Sequence, residues 1–153
     1  MLLLFSDQQP FATGAAHYWY RAASPSDRSP RITVRVELEG VVTFAVLDTG
    51  APYVVCSPEV ARSMRLTSAA ALERARILIR GVWVNGDLHR LNLKLPADQG
   101  ESFSFEVTAF VPDAREGSIG SFPSFLGLNG CLERIRFALD PSDDTFYFGT
   151  LEN

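Results

Sequence analysis

The chain is poor in the residues that metal, redox and nucleic-acid chemistry draw on. It has two cysteines and two histidines in 153 residues. Cys56 and Cys131 stand far apart with no Cys-x-x-Cys pairing, and His17 and His89 are equally isolated, so no metal-ligand spacing emerges and no metal or cofactor is expected. Two buried free thiols, and a surface or satisfied-core position for each histidine, are the expectation. Lysine is almost missing: Lys94 is the single one among 14 basic residues. The arginines that make up the rest are scattered, and the net charge is −4. Without a basic stripe, neither nucleic acid nor an anionic membrane is an expected partner. A Gly-rich phosphate loop is absent too, which argues against phosphoryl transfer. Long apolar runs are lacking. The opening MLLLFSDQQPF has a short apolar patch with no basic residue ahead of it, so neither a signal sequence nor a membrane span is expected, and the expected compartment is cytoplasmic.

What is present reads as strands. Hydrophobic residues make up 46% and charged residues 21%, as in an ordinary globular domain large enough for a core. Residues 1–30 are the least legible part, an N-terminal extension in which HYWYRA (His17 to Ala22) is a candidate strand and Arg21 to Arg31 a Ser- and Pro-rich loop; residues 31–153 form the main domain. ITVRVELEG alternates from Ile32, with Val34, Val36 and Leu38 on one face, and a hairpin at Glu39-Gly40 leads into VVTFAVL (Val41 to Leu47). That run is apolar on both faces, so it is expected to be buried on both. SPEVARSMRL predicts a short helix capped by Ser57 with Pro58 in its first turn. A second short helix is expected over Ser68 to Arg76. From Arg76 to Pro96 a hairpin is expected about Asn85-Gly86, a strong turn signal. Ser102 to Pro112 predicts a strand, Asp113 to Ser124 a loop, and Asn129 a cap for a short helix from Gly130 to about Ile135. A hairpin about Pro141 to Asp144 closes the chain. The fold class is therefore mostly β, a closed or sandwich-like single lobe with two or three short helices.

One stretch stands apart. LDTGAP (Leu47 to Pro52) places the lone charge Asp48 at the end of an apolar run, and about 80 residues later comes SFLGLNG (Ser124 to Gly130). The pair resembles the active-site loop and its counterpart segment in single-lobed, retropepsin-like aspartic proteases, and the ending from Leu132 to Gly149 resembles bacterial members. The resemblance covers roughly Arg31 to Gly149. It implies a closed β-barrel-like acid protease fold acting on a peptide or protein substrate, with no cofactor. Two-lobed relatives carry two such motifs; this chain has one, so the resemblance implies a homodimer with the active site on its two-fold axis. The two Asp48 side chains would share one proton across a water, one taking a proton from it and the other donating to the peptide carbonyl. Thr49 would hold the two loops in register, Gly50 would allow the sharp turn, and Ala51 and Gly127 would line the cleft. A flap over the substrate is expected from Arg80 to Asp87, with Trp83 and Val84 closing on it. The acidic residue and arginine that brace retroviral dimers are both missing, replaced by Pro52 and Leu128.

Two other readings compete. Asp48 in isolation is a plausible turn carboxylate, and the same fold without activity would be a dimeric peptide-binding module.

Overall fold

A computed structural model of the protein describes residues 2–25, 27–113 and 121–152. Twelve strands and one α-helix follow one another in it. β1 (Gly14–His17) and β2 (Trp19–Ser24) precede a long hairpin of β3 (Asp27–Leu38) and β4 (Val41–Leu47). Its turn, Glu39-Gly40, has φ of 47° and 81°, the type I′ geometry that matches strand twist. The turn is tied to the neighbouring strand, since the Asn92 backbone N–H donates to the Glu39 carboxylate at 2.7 Å. After β5 (Val54–Val55) comes α1 (Pro58–Met64), whose cap is the predicted one: Ser57 Oγ accepts from the Val60 N–H at 3.2 Å.

β6 (Glu73–Ile79), β7 (Val82–Leu95), β8 (Gln99–Gly100), β9 (Phe103–Pro112), β10 (Ser124–Leu126), β11 (Ile135–Asp140) and β12 (Thr145–Thr150) complete the chain. The large sheet runs β2-β3-β4-β10-β5-β9-β7-β6, and it curls until β3 and β7 also pair, at Glu37 with Lys94 and Leu38 with Leu93. A smaller sheet, β11-β12-β1-β8, brings β1 beside β12. The main core lies between these layers and α1, with Val36, Leu38, Leu93, Val107, Phe146 and Phe148 almost fully buried. Burial along β7 alternates from Arg90 as the sequence predicts, Leu91, Leu93 and Leu95 inward and Arg90, Asn92 and Lys94 outward. Cys56 and Cys131 are free and buried, and burial pushes each thiol up to about 12. His89 is buried and His17 exposed. Among the described residues no helix is long and apolar enough to cross a membrane.

Five expectations are corrected. Arg21 to Arg31 is not a loop: β2 and β3 pair from Trp19 with Thr33 back to Ala22 with Pro30. Pro30 is tolerated because β4 pairs with β3 only from Thr33 onward, so the missing N–H leaves no gap on that side. VVTFAVL is not buried on both faces; Val42 and Phe44 are 58% and 42% exposed. The reason is that β10 is only three residues long and covers β4 at Ala45 to Leu47 alone. Ser68 to Arg76 holds one 3₁₀ turn, Ser68–Ala70, and then becomes β6. Its continuation alternates as Arg74-Ala75-Arg76-Ile77, and pairing with β7 overrides helix propensity. The helix expected from Gly130 is a single 3₁₀ turn, Leu132–Arg134. Gly130 has a φ of 67°, outside the helical region, and its N–H donates to Glu133 at 2.6 Å rather than starting a helix.

The fifth correction is the hairpin turn. Asn85-Gly86 lies inside β7, opposite Arg76 and Ala75, and the chain reverses at Arg80-Gly81 instead, with φ of 50° and 81°. Gly86 has a different duty: a Cβ there would strike the Val111 carbonyl oxygen and sit 2.7 Å from the Phe110 ring. It is a site of close strand approach, not a turn. Of the loop expected from Asp113 to Ser124, residues 114–120 lie outside the described residues.

Candidate active site

The two halves of the sequence motif meet in the large sheet. β10 is inserted between β4 and β5, so the chain from Leu47 to Val54 must loop over the end of β10. β10 runs parallel to β4, pairing Phe125 with Val46 and Leu126 with Leu47, and the Asp48 N–H extends that ladder by donating to the Leu126 carbonyl at 3.0 Å. Asp48 is thus fixed by backbone on both sides of its side chain. Its Oδ1 accepts from the Gly50 N–H at 2.9 Å, and its carbonyl accepts from the Ala51 N–H at 3.0 Å. The carboxylate is half-buried, while Thr49 and Gly50 are exposed.

Gly127 sits beneath this loop. A Cβ there would strike the Tyr53 carbonyl oxygen and lie 2.6 Å from that of Ala51. The two chains are sewn together just beyond, where Leu128 N–H donates to Ala51 and Asn129 N–H to Pro52, both at 2.9 Å. Only glycine allows that approach. Ser124 adds a side-chain tie, its Oγ accepting from the buried Ser57 N–H at 3.0 Å.

Asp48 opens onto a cleft of about 310 Å³. Gly50, Ala51 and Pro52 border it beside Asp48; Ile77, Leu78, Ile79 and Arg80 of the β6–β7 hairpin line it opposite; Asp27 and Arg31 of β3 complete the wall. Of the residues expected to serve the site, Asp48, Gly50 and Ala51 therefore line one cleft. Thr49 borders the same turn at the surface, and Gly127 acts through packing and is buried. Trp83 and Val84 are not in this lining. Trp83 is 55% exposed with the Arg76 guanidinium 4.6 Å from its ring centroid, and Val84 is buried in a small cluster with Val55, Ile79 and Phe110.

Of the hairpin residues that line the cleft, Ile77, Leu78 and Ile79 precede the turn and Arg80 opens it. Arg80 lies in the segment the sequence predicts as the flap; the other three do not, because the Asn-Gly signal five residues downstream displaces the expected reversal point, and the weaker signal is the Arg80-Gly81 pair itself. Asp27 and Arg31 carry no such signal, because the Ser and Pro content of Arg21 to Arg31 predicts a loop. Asp27 is held below the usual carboxylate range, first by the Ser29 backbone N–H and then by Arg31 and Arg80. Among the described residues, no group of three or more His, Cys, Asp or Glu side chains is placed to hold a metal ion.

The arrangement is similar to a solved structure. A retropepsin-like aspartic protease from Rickettsia conorii superimposes with a TM-score of 0.50 over 91% of this chain and 94% of its own, at 18% sequence identity. At that identity the likeness establishes the fold, a single mostly-β lobe of retropepsin-like type. No protein-family model matches the chain, and no curated protein matches it.

Proposed function

We propose that the chain is an aspartic endopeptidase that hydrolyses peptide bonds as a homodimer, with one Asp48 from each protomer. The observation that carries this reading is the isolation of Asp48. Among the described residues its cleft holds one other carboxylate, Asp27, and that group is engaged by Arg31 and Arg80 and held below the usual carboxylate range, so it is unfit to share a proton. A single protomer therefore supplies half of an acid–base pair. A second copy related by a two-fold axis supplies the other half.

Two carboxylates brought together across a water cannot both ionise, and the shared proton divides their roles. The ionised one draws a proton from the water, which attacks the peptide carbonyl; the protonated one donates to the carbonyl oxygen. The Gly50 N–H holds Oδ1 of each Asp48 in place throughout, so the acid and base need no rearrangement to act. The exposed Thr49 is placed to hold the paired loops in register, Ala51 lines the cleft floor, and the β6–β7 hairpin acts as the flap, with Trp83 and Val84 on its second strand. Activity is expected to peak at acidic to near-neutral pH.

The test is digestion of a complex peptide mixture from about pH 3 to about pH 8, with Asp48→Asn beside the wild type and new termini mapped by mass spectrometry. Cuts that vanish in Asp48→Asn are the expected result. No cuts from a folded dimer would replace this reading with that of a peptide-binding module of the same fold.

A further inference from the structure

The cleft carries more charge than the hydrolytic chemistry requires. Two guanidinium groups converge on one carboxylate oxygen at its flap-tip end: Arg80 Nη2 lies 3.1 Å and Arg31 Nε 3.3 Å from Asp27 Oδ2. The lining carries two positive charges, Arg31 and Arg80, against two negative ones, Asp27 and Asp48, in a chain whose net charge is −4, and both positive charges lie beside Asp27.

Arg80 occupies the same turn position that Glu39 holds in the β3–β4 hairpin. It is the first residue of the flap turn, with φ of 50°, a left-handed conformation that an arginine adopts only at a cost. Turn geometry alone would favour asparagine or glycine there. Its guanidinium is 6.0 Å from the ring centroid of Phe125, which also lines the cleft, so the side chain reaches back over the cleft rather than out from the turn. Arg31 engages Asp27 through Nε, which leaves its terminal amino groups for another acceptor, and its side chain is 51% exposed.

We propose that Arg80, with Arg31 beside it, makes this cleft select peptides that carry an acidic side chain at the flap-tip end. Asp27 marks where that carboxylate goes. A guanidinium pairs with carboxylates through a planar fork of donors, so two of them facing one space form a site of defined shape for a second acid. Exchange of partners leaves Asp27 compensated. When Arg80 turns to the substrate, Asp27 keeps Arg31 and the Ser29 N–H, which it accepts at 3.1 Å. The inference rests on the proposal that peptides occupy this cleft, and two-fold symmetry would repeat the preference on both sides of the scissile bond.

The test reads binding, not cleavage, so that it stands apart from the catalytic proposal. Asp48→Asn protein is titrated against fluorescein-labelled apolar peptides in which a single Glu is moved along the sequence, each beside its Gln twin, with anisotropy as the signal. At one position the Glu peptide should bind about fivefold tighter or more. Adding Arg80→Gln should bring that ratio to about one, Arg80→Asn (which suits the turn) should do the same, and Arg80→Glu should favour a Lys twin. Adding Asp27→Asn should raise the ratio by removing the competing acid; a contact that merely fastened the hairpin would change both twins alike. Failure of every Glu peptide to bind, a ratio near one at all positions, or a ratio that survives Arg80→Gln would overturn the inference. Whether the wild type cuts peptides is scored separately and bears on the catalytic reading alone.

Discussion

Replacing Gly127 by alanine should damage both the fold and the site, and the size of the effect follows from the contacts. The new methyl would strike the Tyr53 carbonyl and lie 2.6 Å from the Ala51 carbonyl, and both neighbours are backbone. Relief requires the Ala51–Tyr53 segment to move by roughly 1 Å, which strains the bonds from Leu128 to Ala51 and from Asn129 to Pro52. Overpacking of this kind costs about 2 kcal/mol and a weakened backbone hydrogen bond about 1 kcal/mol more. The total, about 3 kcal/mol, lowers a urea midpoint by about 1.5 M for a domain of this size. The same movement carries the Asp48 turn with it, and if Asp48 is catalytic as proposed, a misplacement of about 1 Å should cost about a hundredfold in turnover. Gly40→Ala is the control. Nothing lies within 4 Å of its Cβ position, and its φ of 81° is the sole penalty, so about 1 kcal/mol should be lost with no effect on cleavage. Urea unfolding of the three proteins at one concentration decides it, and Gly127→Ala no worse than Gly40→Ala would refute the packing argument.

Ser124→Ala removes the acceptor of the buried Ser57 N–H and should cost about 1–2 kcal/mol in urea unfolding, with the Asp48 loop unmoved. Arg74→Ala removes the cation that binds both Asp113, at 2.7 Å, and the buried Asp87, at 3.0 Å, and should lower the thermal midpoint. Arg74's hydrogen bond holds Asp113 below the usual carboxylate range. That pair stabilises the fold above the unfolded-state value and is lost as pH falls through the lower folded one, so stability should drop below about pH 4, and less steeply in Arg74→Ala.

How much of this was legible depended on how local each signal is. The strand from Ile32, the turn at Glu39-Gly40, the Ser57 cap and the closing hairpin were readable because each is fixed by residues next to one another. The Asp48 loop and its partner segment were readable only together, as paired motifs. Burial along β4 was not readable: it depends on where β10 stops, and a three-residue strand that arrives from about 80 residues downstream leaves no trace in VVTFAVL. The β6–β7 turn was not readable for a related reason. Asn85-Gly86 is the better turn dipeptide, but its glycine is required by Val111 and Phe110 on a strand that lies far along the chain. The Asp27–Arg31–Arg80 cluster joins two segments 53 residues apart, and no spacing rule connects them.

Acid should pull the cleft in two directions. On the proposed reading, a proton shared by two Asp48 side chains would favour activity in mildly acidic solution. The charge cluster at the β6–β7 turn requires ionised partners instead. Its own carboxylate, Asp27, stays ionised well into acid because the Ser29 N–H, Arg31 and Arg80 hold it below the usual range. The groups that face it from the β6–β7 turn and from β3 are the guanidiniums of Arg80 and Arg31. What titrates first is the substrate: an ordinary peptide Glu protonates near pH 4.3, lowered somewhat by the two guanidiniums. The ratio of kcat/KM for a Glu substrate to that for its Gln twin should therefore be flat above about pH 5 and fall toward one below about pH 4, while the Gln peptide is still cut. Parallel pH profiles for the twins, with a ratio unchanged from about pH 3 to about pH 7, would show that the acidic side chain is not read by charge at this site.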